Sequence, residues 1–163
     1  MTREDGVFDR PYFAYGANMD PTHMRQRVTD ARVVGPAKLA GFRLEFSVYS
    51  TEWKGGAANL GLDEKAHVWG VLWEVPEDEL NGLDAYQGHP TFFRRKDVTV
   101  ETTAGEPVIA WTHRVAHQER SYVRPTDAYL HRLRSAIRLQ GLPPEALDIV
   151  DDAARPPRPT IAT

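Results

Sequence analysis

The residues of this sequence best placed to do chemistry are a run of backbone donors around a glycine and a few side chains able to hold a proton or a charge. Residues 12–19 read Tyr-Phe-Ala-Tyr-Gly-Ala-Asn-Met, an apolar stretch that stops at Gly16. Gly16 can take backbone angles that other residues avoid, and the amides of Ala17, Asn18 and Met19 could then point into one concavity. A helix beginning after this loop would add the positive end of its dipole. A carboxylate suits such a site. The same pattern also makes a plain connection between a strand and a helix, and local physics leaves both readings open.

Other candidates carry less. His113 and His117 sit at a strand end without helical pattern, and no third ligand accompanies them, so no metal site is expected. His89 could touch a ligand but reads more simply as a solvated loop residue. Arg94-Arg95-Lys96 opens a strand and suits a solvated edge that resists pairing, with recognition of an acidic substrate tail as the alternative. No Gly-x-Gly-x-x-Gly or Walker loop occurs, so no cofactor is expected. The chain has no cysteine, which excludes disulfides, thiolate metal sites and a thiol nucleophile.

The elements that must position these residues follow from periodicity and punctuation. Tyr12–Tyr15 form a short strand. Asp20-Pro21 is the order of a helix cap and first-turn proline, predicting a helix to about Val28. Phe42, Leu44, Phe46 and Val48 alternate with polar residues as in a half-buried strand. Lys54-Gly55-Gly56 marks a turn, and Val68–Val75, with two tryptophans, suits a central strand. Pro76 opens a short helix with Leu80 and Leu83 on one face and Gly88 as its stop. Val98–Glu101 and Val108–Thr112 are strands joined by a turn around Gly105. A last helix spans roughly 126–140, with Tyr129, Leu133 and Ile137 at helical spacing and Gly141 ending it. Strands outnumber helices without regular alternation, which predicts α+β rather than a doubly wound sheet.

The 163 residues suffice for one domain with a sizeable core. Residues 1–150 are expected to form it, and residues 151–163, with Arg-Pro-Pro-Arg-Pro, to be a tail that adds little to the core. A net charge of −3 supplies no field for nucleic acid. No apolar run approaches the roughly 18 residues of a membrane span, and the first residues lack the apolar core of a secretory signal. No nucleic acid or membrane partner is therefore expected, and a cytoplasmic location fits. Nothing in the sequence sets an oligomeric state.

Tyr12-Phe13-Ala14-Tyr15-Gly16-Ala17-Asn18-Met19 resembles the Tyr-Gly-Ser-Asn-Leu signature of the γ-glutamylcyclotransferase family (AIG2-like). Agreement continues through Gly55-Gly56-Ala57-Ala58, Val68 to Trp73, Leu83-Asp84, Pro125 to Tyr129 and Gly141-Leu142-Pro143, covering roughly residues 12–150 in family order. The resemblance implies a small mixed β-barrel with helices packed around it. It also implies that Gly16, Ala17, Asn18 and Met19 hold the α-carboxylate of a glutamyl group, Ala17 standing where the family has serine. Tyr15 and Tyr129 are candidates to flank the glutamyl chain, each with packing as the alternative. Phe93 falls where the family places a pocket tyrosine.

The implied reaction is intramolecular: the α-amine of a γ-glutamyl amide attacks its own γ-carbonyl, closing 5-oxoproline and releasing an amine. It needs a group that takes a proton and returns one. The family uses a glutamate before a glycine in Leu-Asp-x-x-Glu-Gly, and here the matching residue is Gln87. Glutamine keeps the shape but cannot cycle a proton. An engineered change that traps substrate, a natural non-catalytic γ-glutamyl-binding module, and takeover by another acid such as Asp84 or Glu119 are the three readings. Without them, Gln87 is a polar residue at a helix end. The leaving amine is open among a peptide, a polyamine-like compound and a biosynthetic intermediate.

Overall fold

The structure is a computed structural model, and it describes residues 10–87, 93–115 and 121–157. The expected helix stop at Gly88, together with His89, His117 and Glu119, lies outside these. Five strands close into a barrel in the order β1-β3-β2-β4-β5: β1 is Tyr12–Ala14, β2 Arg32–Ser50, β3 Gly55–Glu74, β4 Phe93–Thr102 and β5 Pro107–Val115. Among the described residues only the β1–β5 contact is parallel, so the sheet is mixed as expected. Among the described residues four α-helices accompany it: α1 Pro21–Arg27, α2 Glu77–Gln87, α3 Asp127–Leu139 and α4 Glu145–Ala154.

Strands β2 and β3 form one long antiparallel ribbon, far longer than the segments that alternate cleanly in the sequence. Its register shifts between Val33 and Gly35, between Ala40 and Phe42 and between Phe46 and Val48. Each bulge bends the ribbon and inverts the side-chain alternation, letting it curl into a wall of the barrel. Gly41, at φ +89°, takes a conformation that a side chain would disfavour. At the turn, Lys54 takes φ 58°. Gly56 then lies so close to the 121–126 segment that a Cβ would stand 1.9 Å from Val123 O.

The core fills the barrel and continues under α3, with Phe13, Phe46, Leu60, Trp73 and Leu133 fully buried. Helix α1 starts where the sequence predicts, its cap Asp20 accepting from His23 N at 3.0 Å. Thr126 caps α3 in the same way.

One expectation needs correction. The boundary at 151 cuts through α4, whose Ala146 and Val150 are buried and whose Glu145 accepts from Trp69 Nε1 at 2.6 Å. Ala146 and Val150 stand at helical spacing, a pattern too short to mark a helix beside the prolines. At Arg94-Arg95-Lys96, β4 pairs with β5, its pairing with β2 being confined to Glu101 and Thr102, and Arg95 reaches Asp84 at 3.2 Å.

Candidate functional site

One cavity of about 440 Å³, within the ordinary range for small ligands, opens where β1, the loop after it and the end of α2 meet. The β1 strand delivers Tyr15 and Gly16, and the 3-10 turn at Ala17–Met19 delivers Ala17 and Asn18 to its wall. Gln87, Phe93 and Tyr129 line it as well. Seven of the eight residues singled out in the sequence thus converge, from four separate stretches of chain.

Met19 does not join them. Its side chain is buried in the core, its amide donates to Gly16 O at 3.0 Å, and its carbonyl accepts from Gln140 Nε2. The first amides of a helical turn have no partner within it, so Ala17 and Asn18 carry the unused donors of this loop. The positive end of α1 is also already answered, because Asp20 caps it and binds Arg132 at 2.8 Å. Gly16 has φ −115°, an ordinary angle, so its role is not left-handed backbone. Space decides instead: a Cβ there would meet Tyr129 Oη at 3.3 Å.

Behind β1 runs a buried chain of hydrogen bonds. Tyr12 Oη contacts His113 Nδ1 at 2.7 Å, and His113 Nε2 contacts Asp84 Oδ1 at 2.7 Å. The other Asp84 oxygen faces Arg95. This assigns the imidazole proton to Nε2 and makes Nδ1 the acceptor for Tyr12. Tyr15 Oη donates to His113 O at 2.6 Å. Burial pushes the Tyr12 and Tyr15 phenols far above the usual tyrosine range. Both therefore stay hydroxyls, and Asp84, one candidate for a substitute acid, is committed on both oxygens.

A second cluster, which the sequence did not signal, stands at the mouth. His23 Nδ1 contacts Asn18 Oδ1 at 2.8 Å, and His23 Nε2 faces Tyr86 Oη at 3.2 Å and Glu52 Oε2 at 3.5 Å. Tyr86 donates to Glu52, and Arg27 pairs with the same carboxylate at 3.2 Å while lying over the Tyr86 ring. Burial pulls the His23 pKa down, against the Glu52 charge. Burial raises Glu52, but the Tyr86 hydroxyl, His23 and Arg27 outweigh it and hold the carboxyl below its usual range. Glu52 comes from the turn between β2 and β3, where it is partly exposed, and nothing local marks it.

The structure is thus a closed β-barrel with a cavity of small-molecule size at a strand–loop–helix junction and one helix end. The chain belongs to the gamma-glutamyl cyclotransferase, AIG2-like family, whose model matches residues 12–131. It is 29% identical over 139 residues to the gamma-glutamylcyclotransferase of Bos taurus, covering 82% of this chain and 73% of that protein. It is 28% identical, with the same coverage, to the gamma-glutamylcyclotransferase of Homo sapiens. A solved gamma-glutamyl cyclotransferase superposes with a TM-score of 0.82 at 27% identity, covering 94% of this chain and 92% of the other.

Proposed function

We propose that this cavity binds a γ-glutamyl amide and closes it to 5-oxoproline with release of the amine, slowly in the chain as it stands. The observation that carries the reading is that the Gly16 loop and residue 87 line one cavity of small-molecule size. The loop amides of Ala17 and Asn18 receive the α-carboxylate. The γ-carbonyl then lies toward the end of α2, and folding the substrate onto itself supplies much of the acceleration. Gln87 can accept a hydrogen bond from the α-ammonium through its carbonyl oxygen but holds no exchangeable acid proton. The same glutamine favours a second reading, a non-catalytic module that binds γ-glutamyl compounds.

One experiment separates the two. The native chain and Gln87→Glu are incubated with a panel of γ-glutamyl amines, with 5-oxoproline quantified and binding followed by calorimetry. The expected result is binding by both forms and release by Gln87→Glu that is about 10²–10⁴-fold faster, the usual worth of general acid–base help. The faster form should show a pH profile in which one carboxylate must ionise. Binding without release by Gln87→Glu across the panel would establish the binding module.

A further inference from the structure

We propose that His23 and Glu52 are the proton-handling pair of this cavity and carry the turnover that Gln87 cannot, an inference that rests on the γ-glutamyl reading above. The α-ammonium and α-carboxylate of a glutamyl group hang on one carbon. A base for the amine must therefore stand close to whatever holds the carboxylate, within a hydrogen bond of about 2.6–3.2 Å of the amine. His23 stands beside the carboxylate loop, its Nδ1 bonded to Asn18 Oδ1 at 2.8 Å and its side chain lining the same cavity. Glu52 lines the same cavity, tied to Tyr86, which lines it together with Gln87.

The protonation pattern makes the pair a receiver. With Asn18 Oδ1 accepting, the imidazole carries its hydrogen on Nδ1 and presents a lone pair at Nε2. That lone pair faces Glu52 Oε2 at 3.5 Å and Tyr86 Oη at 3.2 Å. The single Tyr86 hydrogen goes to Glu52. Nε2 and Glu52 Oε2 therefore face each other across 3.5 Å, and a proton arriving there joins an imidazolium to a carboxylate. Both groups line the cavity, and among the described lining residues Glu52 supplies the carboxylate. The charges around them are Arg27 on α1 and Arg132 on α3, which favour the empty state of His23. Near neutral pH the pair is deprotonated and ready.

The balance is simple. The α-ammonium gives a proton to the pair, and the freed amine forms the nitrogen–carbon bond to the γ-carbonyl. The pair passes its proton to the departing nitrogen, whose bond to that carbon then breaks. A second proton follows the same route. The lactam keeps one hydrogen, the amine leaves as an ammonium, and His23 and Glu52 end unchanged.

The test compares the native chain, Glu52→Gln and the double variant Glu52→Gln with Gln87→Glu, using γ-glutamyl methylamide as the probe. Release of 5-oxoproline by Glu52→Gln should fall at least about 10-fold below the native chain, while calorimetry still detects binding of the amide. The native rate should fall as pH drops through protonation of His23, and that inflection should move to lower pH in Glu52→Gln, where the carboxylate no longer supports the imidazolium. Adding Gln87→Glu should bring release back, which a merely structural role of Glu52 would not allow. Release by Glu52→Gln at the native rate, no rescue in the double variant, or binding without any release by the native chain would each overturn the proposal. Failure of both the native chain and Gln87→Glu to bind the amide would instead overturn the γ-glutamyl reading, and this inference with it.

Discussion

A methyl group on Gly16 would press on Tyr129 Oη, which holds the Ala58 amide at 2.9 Å. The glycine, the phenol and that amide therefore act as one unit. Gly16→Val should displace the hydroxyl and close the cavity, abolishing calorimetric binding of 5-oxoproline. Tyr129→Phe keeps the ring but leaves a buried N–H without its acceptor. It should lower stability by about 1–3 kcal/mol, read as a lower urea midpoint with an unchanged slope. Tyr129→Phe with native stability would mean that water replaces the phenol. The loop residues were legible because glycine after an apolar strand is a local signal. The cluster of His23, Glu52 and Tyr86 was not, since Tyr86 lies 63 positions from His23 and 34 from Glu52.

Among the elements, helices α1 and α3 were legible because cap and apolar spacing lie within a few residues of one another. The β2–β3 ribbon was legible only in its Phe42–Val48 and Val68–Val75 stretches and its turn, because three register shifts break the two-residue period that would announce its full length. The expected tail shows the same limit, since α4 is amphipathic over too few residues to stand out before the prolines. Three links fasten its last turn and the residue before it. Arg134 bonds Asp151 Oδ1 through Nε at 2.9 Å and through an end nitrogen at 2.7 Å. Tyr122 Oη donates to Ala154 O at 2.6 Å. Ala153 and Ala154 pack against the core. A chain ending at Val150 should therefore be less stable than one ending at Pro157 by about 2 kcal/mol, summing one hydrogen bond, a partly exposed ion pair and a little apolar area. Differential scanning calorimetry should show a fall of roughly 4–8 °C. Equal melting temperatures would return the last turn of α4 to the status of an ornament.

At the scale of the whole molecule, the barrel closes around phenols as well as hydrocarbons. Tyr12, Tyr15 and Tyr129 are buried and Tyr86 half-buried, and all four have pKa values raised first of all by burial, Tyr129 to about 12. The unfolded chain releases these protons near the ordinary tyrosine value of about 10, whereas the folded chain keeps them. Between those limits the unfolded state binds fewer protons, so stability must fall as pH rises. Each retained phenol steepens the fall by about 1.4 kcal/mol per pH unit. The melting temperature should consequently be flat from neutrality to about pH 9 and drop steeply above about pH 10. Phenolate absorbance from the buried set should appear together with loss of the near-ultraviolet dichroism, since the ring that ionises must first leave the barrel. Tyr12→Phe tests the assignment: it removes one retained proton and should shallow the alkaline slope, even though His113 loses its hydroxyl partner and the neutral-pH stability falls. If the buried phenols instead titrate reversibly while the dichroism persists, water reaches the barrel interior and the cavity is wetter than its lining implies.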